Sequence, residues 1–164
     1  MDFFETVERR HSVRQYTTDP VDRATIEKIV AAGLRAPSAC NFQPWEFIVV
    51  TDPAQRKRVA EVAEYGQFIA TAAVCIVVFC KSGKWNLEDG SAATQNMLLA
   101  ATALGLGSCW VGGDSPRNQQ GIPRVLNVPA GYTLVSLIAI GHTTSTTTSP
   151  PRRPLAEVLH WEKW

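Results

Sequence analysis

The chain has 164 residues, of which 45% are hydrophobic and 19% charged, with a formal net charge of +1. Length and composition fit one ordinary globular domain, 1–164, rather than a disordered or fibrous chain. The near-zero charge argues against general affinity for nucleic acid or acidic membranes, so any anion site must come from local clustering of arginine.

The N-terminal run MDFFETVERR carries acids and no apolar core of signal-peptide length, which points to a cytoplasmic protein. Phe3, Phe4 and Val7 recur at helical spacing and predict a short helix over 2–10 with Asp2 at its cap. Asp19-Pro20 marks a turn, and Asp22 caps a second helix over 23–35, amphipathic through Ile26, Ile29, Val30 and Leu34. A polar loop, APSACNFQP, separates it from a strand over 45–51. Asp52-Pro53 opens a charged surface helix to about 64, with an acid cap and Pro at its first position. A connector over 68–71 leads to a buried strand over 73–80, whose apolar run is far too short to cross a membrane.

The stretch 89–113, DGSAATQNMLLAATALGLGSCWVGG, organises the rest. It predicts one long helix over 87–106, about 30 Å at 1.5 Å per residue. Its apolar residues cover most of the circumference, so it must be buried nearly all round. One subunit of this size has trouble wrapping such a helix, and a twin subunit is the natural cover. Gly105 and Gly107 stop the helix, a strand over 108–112 follows, then a short helix or turn over 116–126 and a strand over 132–141. From 142 onward, polar residues and prolines predict an extended arm, ending in Leu155, Val158, Leu159, Trp161 and Trp164, which must dock somewhere.

Nucleophile and metal templates fail: there is no GxSxG, HExxH or P-loop, and His11, His142 and His160 are scattered. Cys40, Cys75, Cys80 and Cys109 show no zinc spacing and read as reduced, mostly buried thiols, with Cys75 and Cys80 on opposite strand faces. Gly105-Leu-Gly107-Ser-Cys-Trp110 has Trp where a dinucleotide fingerprint needs its third Gly, and a helix precedes rather than follows it.

Three clusters remain. Arg9, Arg10, Ser12 and Arg14, with Arg152 and Arg153 in the arm, offer guanidinium forks suited to a phosphate monoester, or else are solvated surface charge. Ser38, Asn41 and Gln43 suit a flat heteroaromatic or a sugar-alcohol chain, or else plain turn chemistry. Gly112 and Gly113 let backbone N–H groups approach a ligand, or else end a strand.

The pieces Arg10-His11-Ser12-Val13-Arg14, APSACNFQPW over 36–45, QNMLLAA and LGLGSCWVGG within 89–113, and Pro151-Arg152-Arg153-Pro154-Leu155 occur in an order that resembles the FMN-dependent nitroreductase family along almost the whole chain. The resemblance implies an α+β fold: a three-layer α/β/α sandwich with a central mixed, mainly antiparallel sheet. It implies a homodimer in which the C-terminal arm, 142–164, packs on the partner. Arg10, His11, Ser12 and Arg14 are then expected to hold the FMN phosphate and ribityl side, with Arg152 or Arg153 closing from the arm. Pro37, Ser38, Ala39, Asn41 and Gln43 are expected to reach the flavin of the opposite subunit, and Gly112 and Gly113 its reactive edge. No side chain is assigned as catalytic, because FMN carries the redox chemistry.

The implied activity is reduction of nitroaromatics, quinones or similar small acceptors by NAD(P)H in a ping-pong cycle. The alternatives are a same-fold flavin enzyme of another reaction, such as dehalogenation or flavin cleavage, or a flavin-binding protein without turnover. Only about six residues join the buried strand to the long helix, so the helical lid of longer members is absent and the pocket is open. Phe42, Trp85 and Trp110 are the expected pocket walls.

Overall fold

A computed structural model describes residues 1–145 and 149–164; residues 146–148 of the expected arm lie outside the described residues. Helices α1 (Phe3–Arg9) and α2 (Arg23–Gly33) precede strand β1 (Trp45–Val50). Then come α3 (Pro53–Val62), β2 (Val74–Lys81), α4 (Asn86–Ala103), β3 (Gly107–Gly112), α5 (Pro116–Leu126) and β4 (Tyr132–Gly141). Local chemistry sets the helix starts. Asp2, Asp22 and Asp52 each accept a hydrogen bond from the backbone N–H three residues on, and Ser115 does the same for α5.

The four strands form one sheet in the order β1-β2-β4-β3, every pair antiparallel. Among the described residues the parallel element is an isolated bridge, Ser12 to Ser108, which lays the segment after α1 along the start of β3. Alternation along β2 decides the layering. Val74, Ile76, Val78 and Cys80 pack with Ile29 of α2 and Met97 of α4, whereas Cys75, Val77 and Phe79 pack with Val59 of α3 and Ile122 of α5. Both sheet faces are therefore covered by helices, which gives the expected three layers, with Cys75 and Cys80 on opposite sides.

A bulge adjusts this pattern. Val78 pairs with Ser136 but Phe79 with Leu134, leaving Val135 as the extra residue. Leu134 thereby joins the α3–α5 side, while the Ser136 hydroxyl faces α4 and meets Thr94 Oγ1 at 2.7 Å.

Helix α4 begins one residue earlier than expected and ends three residues sooner. Gly105 takes a left-handed conformation (φ 78°), and the N–H groups of Gly105 and Leu106 bond back to Thr102 and Ala101 carbonyls at 3.0 and 2.9 Å. This closure satisfies the last carbonyls of the helix and needs a residue free of a Cβ at the turn. The helix is not buried all round by its own chain. Gly90, Ala93, Met97 and Ala101 lie fully within the core, but Leu87, Gln95 and Ala103 stay exposed. Beside that open face, Phe3, Leu99 and Ala103 line one shallow cavity, and Phe3 and Phe4 are 65% and 81% exposed. The expected docking of the arm is also not made on its own chain: residues 150–164 are exposed throughout, Trp164 almost completely.

Candidate cofactor site at the head of the sheet

The 10–14 segment is fixed from three sides. The Arg10 N–H closes α1 onto the Thr6 carbonyl at 3.0 Å, and the Val13 N–H donates to the Ser108 carbonyl at 2.9 Å. The Tyr16 hydroxyl donates to the Val13 carbonyl and reaches Ala139 O at 3.2 Å. Burial holds that phenol protonated far above its ordinary range, so it serves as a structural donor. With Val13 buried, the alternating backbone leaves Ser12 and Arg14 exposed on either side of it.

Neither Arg10 nor Arg14 forms an ion pair among the described residues, whereas Arg9 is taken by Glu5 at 3.2 Å. Arg9 is thus set apart from the site, as a solvated helix pair. The Arg14 guanidinium lies 5.8 Å from the centre of the Phe68 ring. His11 touches the Arg9 carbonyl through Nδ1 at 2.9 Å, and its buried Nε2 has no partner; the buried Ser108 hydroxyl also has none. The Cys109 thiol is pushed up by burial, against the opposing pull of Arg14, Ser12 and Arg10, which places all three within reach of one strand residue. Two unpaired guanidiniums, the Ser12 hydroxyl and orphaned polar atoms gathered beside β3 form a donor set that fits a phosphate.

Arg14 and Gly112 line the same cavity, of about 260 Å³, together with Phe68, Trp110 and Asn118. Among the side chains here that sequence reasoning missed are Phe68, Glu64, Tyr65, Asp114 and Asn118. The last is fully buried, accepts from the Glu64 N–H at 2.7 Å and donates to the Gly112 carbonyl at 2.8 Å. Only the Ser115-Pro116 cap signal three residues earlier hints at its place in the first turn of α5.

The two expected glycines differ. Gly112 lines the cavity, but the Gly113 N–H is committed to the Val135 carbonyl at 3.0 Å. A Cβ on Gly113 would stand 2.6 Å from the Leu134 carbonyl oxygen, so this glycine answers a close approach of two backbones. The expectation of an open N–H donor at Gly113 is corrected: that group is already bonded within the sheet.

The 38–43 loop forms a separate, protruding feature. Ser38 Oγ accepts from the Gln43 N–H at 3.0 Å, and buried Asp89 accepts from the Ala39 N–H at 2.9 Å, pinning the loop to α4. Cys40, Asn41 and Gln43 all have left-handed backbones, with φ of 49°, 56° and 49°. Such conformations cost energy in non-glycine residues and concentrate at functional sites. Pro37, Asn41, Phe42 and Gln43 point outward, exposed. Arg152 and Arg153 lie apart from both features. Arg153 pairs with Glu157 at 3.5 Å, and among the described residues the arm from 149 hydrogen-bonds only within itself. The expected pocket walls also separate: Trp110 lines the cavity by Arg14, while Phe42 and Trp85 line another.

The sequence matches the Nitroreductase family over residues 7–73 and 63–142. The chain belongs to the nitroreductase family. A provisionally named NADH dehydrogenase/NAD(P)H nitroreductase of Methanothermobacter thermautotrophicus is 36% identical, covering all of this chain and 88% of its own length. An FMN-dependent nitroreductase of Clostridium difficile R20291 superposes with a TM-score of 0.93 at 26% identity, over 99% of this chain and 100% of that one. A provisionally named nitroreductase of Desulfovibrio desulfuricans, solved in complex with FMN, is 33% identical with a TM-score of 0.84, over 98% and 96%. This nitroreductase fold thus lays its arginine segment along β3, with Arg14 and Gly112 on one cavity. Among the described residues there is no group of His, Cys, Asp and Glu that could hold a metal, and no helix long and apolar enough to cross a membrane.

Proposed function

We propose that the protein is an FMN-dependent oxidoreductase that uses NAD(P)H to reduce nitroaromatics, quinones or similar small acceptors. The observation that carries this reading is the joining of Arg14 and Gly112 in one cavity, beside the unpaired Arg10 and exposed Ser12. Bound FMN supplies two-electron chemistry, reduced by NAD(P)H in one half-reaction and reoxidised by the acceptor in the other.

The chain's own residues bind and orient. Arg10, His11 and Ser12 grip the phosphate and ribityl side, and Arg14 supplies positive charge at the cavity wall where negative charge must be stabilised. Phe68 holds that guanidinium in place through its ring face. Gly112, clamped by Asn118, presents backbone with no side chain in the way. No acid or base beyond these is required of the protein, consistent with the failure of every nucleophile template.

A homodimer completes the site. The uncovered face of α4, the exposed Phe3 and Phe4, the outward 38–43 loop and the undocked arm are all unfinished surfaces of one chain. A partner covering them sets Ser38, Asn41 and Gln43 against the neighbouring flavin and brings Arg152 or Arg153 to the neighbouring phosphate.

Purified protein tests both halves. It is expected to be yellow, with FMN as the released chromophore, to bleach anaerobically with NADH or NADPH, and to recolour with a nitroaromatic or quinone. Arg14→Ala should lose FMN on dialysis, while Arg58→Ala keeps it; equal retention in the two variants overturns the assignment of the arginine segment.

A further inference from the structure

A separate cavity, of about 410 Å³, lies between the 38–43 loop and the short connection from β2 to α4. Its lining includes Phe42, Pro44, Lys81, Lys84, Trp85 and Asp89. We propose that this cavity is a subsite for an aromatic group bearing an anion, held between Phe42 and Trp85 with its charge on Lys81 and Lys84. The proposal rests on the reading of the 38–43 loop as flavin-facing, because Phe42 belongs to that loop.

Charge separates the two cavities. Around Arg14 the lining carries one cation against Glu64 and Asp114, whereas here two ammonium groups stand against the single carboxylate of Asp89. That carboxylate already accepts from the Ala39 N–H, and neither lysine forms an ion pair among the described residues. The lining of the second cavity therefore favours an anionic group.

The second cavity is also preformed. The Lys81 N–H bonds the Pro44 carbonyl at 2.8 Å, and Ser82 is held by the Gly131 carbonyl at 2.8 Å and the Thr133 hydroxyl at 2.9 Å. Lys84 Nζ sits 4.4 Å from the Trp85 ring centre, so an aromatic face positions the charged head at the rim. Two ring faces and two free cations match a planar ring with a carboxylate or phosphate. That chemistry has two sources: an acceptor such as a nitrobenzoate, or the adenosine 2′-phosphate of NADPH.

Steady-state kinetics of FMN-loaded Lys81→Ala/Lys84→Ala separate the sources. The KM for 4-nitrobenzoate relative to 4-nitrobenzamide, or for NADPH relative to NADH, should rise about tenfold, as loss of a charged hydrogen bond predicts. The value of kcat and the FMN content should stay as in the parent. A shift in the first ratio assigns the acceptor, and a shift in the second assigns the nucleotide. Unmoved ratios overturn the proposal. Tryptophan quenching by 4-nitrobenzoate and by adenosine 2′,5′-bisphosphate, with Trp85→Phe as the reference, gives a readout that needs no flavin. Quenching by either probe that depends on Trp85 and disappears in the lysine variant upholds the subsite even if the protein takes up no FMN; the absence of such quenching sinks it.

Discussion

Asn118 carries more of the cavity than its position in the sequence suggests. Its amide joins the Glu64 N–H to the Gly112 carbonyl, so one side chain holds two walls that no backbone ladder connects. Asn118→Ala removes both hydrogen bonds, at about 2 kcal/mol. Urea denaturation should show that loss, together with weaker FMN retention, whereas substituting exposed Gln95 should change neither. Gly113 differs in kind. Its alanine variant drives a Cβ against the Leu134 carbonyl, and strand β4 must shift at about 2 kcal/mol. A fall in melting temperature with FMN affinity otherwise retained is the expected signature of a packing glycine; selective loss of FMN at full stability would contradict it.

At the scale of elements, α4 ties the parts together. Its first turn carries Asp89, which fastens the 38–43 loop, and its last turn leads into a left-handed glycine that turns the chain into β3. Gly105→Ala meets no neighbouring atom, so its cost is the backbone conformation alone, about 1 kcal/mol. Thermal unfolding should register that modest loss. Asp89→Ala, by contrast, unpairs the Ala39 N–H and frees a loop that holds three left-handed residues. Faster proteolysis within 38–43 is the expected readout, with the four-stranded sheet unaffected by circular dichroism.

For the whole molecule, burial also sets a pH response. Desolvation pushes the thiols of Cys75 and Cys80 up to about 12 from an ordinary 9.0, the latter helped by Asp89. Above about pH 9 the unfolded chain therefore releases protons that the folded chain retains, and stability falls as pH rises from about 9 to 12. Below pH 8 these thiols are protonated in both states and contribute no slope. Replacing both by alanine should flatten the alkaline limb of the stability curve while leaving the neutral limb parallel to the parent. The uncovered α4 face and the exposed arm make the single chain an unfinished object. Sedimentation should give twice the mass of one chain at micromolar concentration, and truncation after 148 should weaken that association. A monomer that still retains FMN would contradict the dimeric site.

Much of this architecture was legible from local signals, because those signals act over a few residues. Asp2, Asp22 and Asp52 set helix starts within one turn, and the continuous apolar run of β2 required both sheet faces to be covered. Arg10, Ser12 and Arg14 pointed to an anion site or to solvated surface charge, and the folded chain sets Arg14 on the cavity that Gly112 lines. What only the tertiary structure decided is which distant segments meet. Ser12 reaches Ser108 across a parallel bridge, Glu64 and Gly112 share Asn118, and Phe42 lines a cavity with Trp85 rather than with Trp110. Such pairings depend on strand order and on one bulge, neither of which leaves a periodic trace. The long helix marks the boundary: its apolar circumference announced a need for burial, but only the folded chain showed which face its own sheet covers and which it leaves for another surface.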